Sequence, residues 1–178
     1  MRPARPAIPA AGLALLGLLG AVPAAALEPR YDHRDQTGLL LEASGSWDAV
    51  TVGDLSQSLW RWPTLRLAVT FDLSGEGDEL MVGGAWSPGG GGTAHVDWAL
   101  DARYRGYFGS DEFKTFFEVG LWAPLAPRLA VGPRAGLGAS WDFSRRLGAF
   151  LAFGFATAFG EFRGASLDLG AGLQMRWP

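Results

Sequence analysis

The sequence contains no cysteine, so disulfides, thiolate nucleophiles and cysteine-rich zinc centres are excluded. Its only histidines are His33 and His95, too few for a structural zinc site. Asparagine is missing, Lys114 is the only lysine and Ile8 the only isoleucine, a bias that points to a GC-rich bacterial genome. The formal net charge is -3. A general nucleic-acid binder carries basic stripes, so no nucleic-acid partner is expected. A long hydrophobic helix is also lacking. The apolar run from Ala10 to Val22 is shorter than the roughly 20 residues that a membrane-spanning helix needs.

That run fits an export signal instead. Arg2 and Arg5 precede it, and Ala24, Ala25 and Ala26 follow as small residues at a cleavage site. Residues 1–26 are expected to be a signal peptide, cleaved near Ala26. Residues 27–37 are then a lead, and residues 38–178 a single domain. With 178 residues in all, the chain has length for one domain only.

Glycine is abundant at 26 residues, and aromatics make up 12% of the chain. They are ordered with period two. In Ser166–Trp177, Leu167, Leu169, Ala171, Leu173, Met175 and Trp177 alternate with Ser166, Asp168, Gly170, Gly172, Gln174 and Arg176. Side chains alternate strictly across a strand, so this segment has two faces of different chemistry. The same split recurs in Gly38–Asp48, Thr64–Ser74, Glu79–Ser87, Thr93–Arg105, Phe113–Ala123, Arg128–Phe143 and Leu147–Phe159. Phe113–Ala123 is the least regular, because Phe116 and Trp122 fall on its polar face. Turn residues separate these segments, and only Ala49–Pro63 reads as a long loop. Short connections between sequential strands predict an all-β fold: an eight-stranded antiparallel up-and-down barrel.

Volume decides which face is outside. An eight-stranded barrel has an interior just wide enough for side chains to fill. The bulky face carries most of the Trp, Phe, Leu and Val, whereas the other is mainly Gly, Ala and Ser with scattered charges. The bulky face therefore points outward, as in a transmembrane β-barrel. A soluble, lipocalin-like ligand-binding barrel would have the opposite sense. Trp47, Trp86, Tyr104, Phe113, Trp141, Phe143, Phe159 and Trp177 fall near strand ends, where membrane-interface aromatics are expected.

The inward face then holds a charge network. Its acids are Glu42, Asp48, Asp72, Glu79, Asp97, Asp101, Glu118, Asp142 and Asp168. Its bases are Arg66, Arg103, Arg105, Lys114, Arg128, Arg134 and Arg176. Buried charges need partners, so the near balance predicts a salt-bridged, non-conducting interior. Ser46, His95 and Asp97 are the only candidates for a hydrolytic triad. A lone histidine in such a network is more often a hydrogen-bonding member, so no enzyme, cofactor or metal is expected. Trp60-Arg61-Trp62-Pro63, placed in the long loop, reads as a membrane-interface anchor or a grip on lipopolysaccharide. The Gly89–Gly92 run lacks a following Gly-Lys-Ser/Thr and is no phosphate loop.

The signal peptide, the eight alternating segments and the closing run Leu-x-Leu-x-Ala-x-Leu-x-Met-x-Trp at Leu167–Trp177 resemble the small outer-membrane barrels of the OmpA transmembrane domain and OmpX type. The resemblance covers residues 38–177. It implies a Gram-negative outer-membrane location, contact with outer-membrane lipid and lipopolysaccharide, and recognition of the C-terminal strand by the barrel-insertion machinery. A monomer is expected. Lipid-modifying barrels similar to the lipid A deacylases offer the enzymatic alternative.

Overall fold

The computed structural model describes residues 36–73, 77–88, 96–109 and 112–178. The proposed signal peptide, most of the lead, and His33 and His95 lie outside these residues. Eight strands follow in order: β1 (Thr37–Val52), β2 (Leu55–Asp72), β3 (Glu79–Trp86), β4 (Trp98–Phe108), β5 (Phe113–Ala126), β6 (Ala130–Ser144), β7 (Leu147–Gly160) and β8 (Arg163–Trp177). Each pairs antiparallel with its sequence neighbours, and β1 pairs with β8 to close the barrel. Thr37 already pairs with both Phe71 and Trp177, so β1 takes in the last residue of the expected lead.

Closure pairs each strand on both sides through the body of the barrel, as a chain in hydrocarbon requires, while Leu55–Thr64 of β2 runs beyond β3 and pairs with β1 alone. The faces have the sense expected from side-chain volume. Leu41, Leu67, Leu100, Leu121, Leu137, Leu151, Phe153, Leu169 and Leu173 are exposed on the outside, while Arg103 and Arg105 are fully buried inside. A soluble lipocalin-like barrel is thereby excluded. From Leu167 to Trp177 the outward residues of β8 span about 33 Å along the strand. At a tilt of about 40° this is roughly 25 Å along the axis, the height of an outer-membrane apolar band.

The segment 49–63 is not a loop. β1 runs on to Val52 and β2 starts at Leu55, joined by the two-residue turn Gly53-Asp54. Gly53 takes a φ of +58°, which a residue without Cβ adopts readily. A Gly-Asp pair between alternating runs is itself a hairpin signal. Pro63 sits where the β1–β2 register shifts: Ser44 pairs with Thr64, but Ser46 pairs with Arg61. β2 therefore carries one extra residue there, and a strand proline is accommodated at such a bulge. The bulge also resets the alternation. Arg61 turns inward and is buried, while Trp60 and Trp62 turn outward and are exposed.

Two further boundaries differ from expectation. Asp97 precedes β4 instead of lying within it, and Arg128 lies in the β5–β6 connection. Both are half-buried. Phe116 and Trp122, the exceptions to the polar face of β5, are indeed inside the barrel and buried. They face glycines and alanines on neighbouring strands, such as Gly138 beside Phe116.

Candidate functional site

The polar interior is the only place where this chain concentrates reactive side chains among the described residues. Its buried set holds seven acids and seven bases. The bases are the arginines at 61, 66, 103, 105, 134 and 176 together with Lys114. Sequence alternation finds all of these except Arg61, whose parity depends on the bulge at Pro63.

The network starts at the end that holds the termini. Glu79 accepts hydrogen bonds from Arg176 Nε at 2.9 Å, Gln174 Nε2 at 2.7 Å and the Tyr107 hydroxyl at 2.8 Å. Asp142 accepts from Arg176 Nη1 at 2.9 Å and from Lys114 Nζ at 3.2 Å. Gln174 Oε1 accepts from Arg176 Nη2 at 2.8 Å and from Arg105 Nη1 at 3.3 Å. Tyr107 lies two residues past the segment in which alternation is clear, so sequence reading misses it.

Next along the axis, apolar bulk fills the lumen. Leu40, Ala68, Met81, Phe116, Phe150 and Ala152 form one buried cluster. The Arg105 guanidinium lies 4.1 Å from the Phe116 ring centre and 4.8 Å from that of Phe150, a cation–π arrangement. Arg105 also donates to Glu118 Oε1 through Nε at 2.9 Å and Nη2 at 2.6 Å. Arg103 Nη1 holds the other oxygen of Glu118 at 2.8 Å. Glu118 is thus gripped on both oxygens by two guanidinium groups.

The middle of the barrel continues the chain of charges. Arg66 bridges Glu42 and Asp101, with Nε 2.6 Å from Asp101 Oδ2. Arg103 Nη2 lies 3.6 Å from both Glu42 and Asp101. Arg134 Nη2 donates to Asp168 Oδ2 at 2.6 Å. Nearer the opposite end, Arg61 Nη2 pairs with Asp48 at 2.8 Å, and its Nε donates to Ser46 Oγ at 3.1 Å. Between these groups lies a cavity of about 20 Å³, lined by Ser44, Ser46, Thr64, Ser87 and Ser166 with Arg61, Arg66, Arg134 and Asp168. That is room for about one water molecule.

This arrangement limits the chemistry available. The Ser46 hydroxyl receives a hydrogen bond from Arg61 and donates to Asp48 Oδ2 at 3.4 Å. Arginine stays protonated and cannot serve as its base. Asp97 makes backbone links, donating its N–H to Ala126 O at 2.8 Å and accepting from Ser87 N at 3.0 Å. His95 lies outside the described residues. Among the described residues, no cluster of His, Asp and Glu is arranged to hold a metal. Asp72 is half-buried at the terminal end of β2, where its N–H donates to Gln36 O.

The aromatic residues occupy both rims. Trp47, Trp86 and Phe159 lie on the outward face toward the connecting-hairpin end, and Phe113, Phe143 and Trp177 toward the terminal end; all six are exposed. Tyr104 and Trp141 are half-buried. Tyr104 donates to Asp78, and Trp141 meets Phe143 edge-on at 5.1 Å. Sequence reading omits Trp98, which stacks on Trp86 at 6.1 Å.

The closed eight-stranded meander is similar to a solved structure, that of Neisserial surface protein A. The two share 11% identity with a TM-score of 0.56, over 77% of this chain and 96% of that one. The chain has the fold of the small eight-stranded outer-membrane β-barrels. Two weaker similarities are to Ail, the attachment invasion locus protein of Yersinia pestis, and to the outer-membrane protein OprG from Pseudomonas aeruginosa. The first has a TM-score of 0.46 at 8% identity, over 79% of this chain and 99% of that one. The second has a TM-score of 0.42 at 8% identity, over 83% and 99%. No family model and no curated protein matches the sequence.

Proposed function

We propose that this chain is a non-enzymatic structural or interaction barrel of a bacterial outer membrane, with a salt-bridged interior that does not conduct. It is exported by a cleaved signal peptide and inserted through recognition of β8. It works as a monomer in contact with outer-membrane lipid and lipopolysaccharide.

The observation that carries the proposal is the Arg105 stack. The Arg105 guanidinium, held by Glu118 and lying against the rings of Phe116 and Phe150, occupies the lumen where an ion would pass. A cation fixed there repels cations, and Phe116 and Phe150 fill part of the lumen beside it. The balanced buried charge supports the same view, since paired ions inside a narrow barrel act as packing. The outward apolar band supports the membrane location.

Two measurements test this. Folded protein should partition into the outer-membrane fraction and migrate differently on a gel before and after boiling. In planar bilayers it should give almost no single-channel current. Stable, large conductance steps from the wild-type protein would refute the sealed interior.

A further inference from the structure

One strand residue breaks the rule that the others obey. Among the described residues, the charged side chains of β1 to β8 lie on the inward face with one exception, Arg163 at the start of β8. It is exposed on the same face as Leu167 and Leu169. No ion-pair or hydrogen-bond partner holds its side chain among the described residues.

Arg163 also stands at the edge of a depression. Strand register places a bulky row, Trp60, Trp47, Leu167 and Phe155, across β2, β1, β8 and β7. The next row toward the connecting-hairpin end is small: Ser58, Ala49, Ala165 and Thr157. Arg163 and its pair partner Phe159 rise again beyond it. The step from large to small to large leaves an open groove of about 510 Å³. It opens on the outward face at the connecting-hairpin rim, among Thr51, Ser56, Ser58 and Thr157, so with both termini in the periplasm what meets it is the headgroup layer of the outer leaflet.

We propose that this groove seats the phosphate-bearing headgroup of an outer-leaflet lipid, with Arg163 as the phosphate ligand and Trp47 and Trp60 as the shelf beneath. The proposal rests on the outer-membrane reading above. An arginine fork matches phosphate oxygens in pairs. A cation at the rim of an apolar band meets anionic headgroups there and gains from each. The small row gives the headgroup space, and the bulky row below continues into the apolar surface on which acyl chains lie. Free phosphate would gain only the single arginine, whereas a lipid gains both surfaces.

The test uses the full folded chain in detergent, with native mass spectrometry of bound lipid. Phosphatidic acid and diacylglycerol with the same acyl chains differ only by the phosphate. Wild type should retain phosphatidic acid about fivefold better. Arg163→Gln should abolish that preference. Ala165→Trp, which fills the groove and leaves the arginine, should reduce retention of both lipids. Arg146→Gln, an exposed arginine at the opposite end, should change nothing. An unchanged preference in Arg163→Gln would overturn the proposal. So would full competition by inorganic phosphate, which would mark a simple anion site. Heat-modifiability of each sample separates the two levels: a normal gel shift without lipid preference refutes the groove alone, whereas a wild type without any shift refutes the membrane barrel. Should Ala165→Trp not fold, Arg163→Gln decides.

Discussion

Around Arg176 the interior is crowded with shared partners. Glu79, Asp142, Gln174 and Tyr107 each touch this one guanidinium, and Phe116, Phe150 and Met81 close the space beside them. Around Arg61 the interior is less tightly filled. Its pair with Asp48 stands beside a small cavity, and the apolar cluster nearby mixes five alanines, at 85, 99, 130, 156 and 158, with Val50, Val96, Trp122 and Phe162. Both regions bury full charges, the first against large rings and the second beside a hydroxyl-lined cavity. In the second, hydroxyls and a water-sized space supply part of the solvation that burial removes. A buried charge therefore depends most on its protein partner where large side chains exclude water.

The largest test of that difference is Glu118→Leu. It leaves Arg103 and Arg105 without their shared acceptor in the tightly filled region, and breaking a buried pair in this way costs about 3–5 kcal/mol. Urea unfolding of the protein folded in lipid vesicles should show the loss. A change below about 1 kcal/mol would mean that water already reaches this region and that the contrast is false.

Gly154→Val comes next. An added Cβ at Gly154 would meet Arg134 Nη2 at 2.7 Å and Asp168 Oδ1 at 2.8 Å, so the side chain must displace an ion pair bordering the cavity. Overpacking of this kind costs about 1–3 kcal/mol. The same unfolding measurement reads it. If the cavity absorbs the shifted pair, the value falls at the lower end of that range, which would sharpen the comparison.

Ser166→Ala should have the smallest effect. Ser166 lines the cavity, where water can take the place of its hydroxyl, so the change should stay below about 1 kcal/mol. A loss as large as that of Gly154→Val would show that the hydroxyl-lined region is as interlocked as the region around Arg176.

Much of this architecture is legible in the amino-acid order. The strand number and the face of each residue follow from period-two patterning, because a slip of one residue would move every leucine and phenylalanine to the other face. The sense of the barrel follows from volume: Gly136, Gly154 and Ala156 fit a narrow lumen, and Leu151, Phe153 and Phe155 do not. The inward placement of Glu42, Arg66, Arg103, Glu118 and Asp168 is read in the same way.

What the order of residues leaves open is what the closed sheet alone sets. Alternation assigns a face but not a height, and pairing across the lumen depends on height. Arg105 meets Gln174, and Gln174 meets Glu79, because closure and stagger bring β4, β8 and β3 to one level. Arg61 joins the interior only because the bulge at Pro63 shifts the alternation by one residue. The exposed position of Arg163 likewise depends on how far β8 continues its pairing with β1 and β7. Local pattern thus determined the strands and their two faces, since those depend on neighbours in sequence. Register and closure decided which charges meet, since those contacts join residues far apart in the chain.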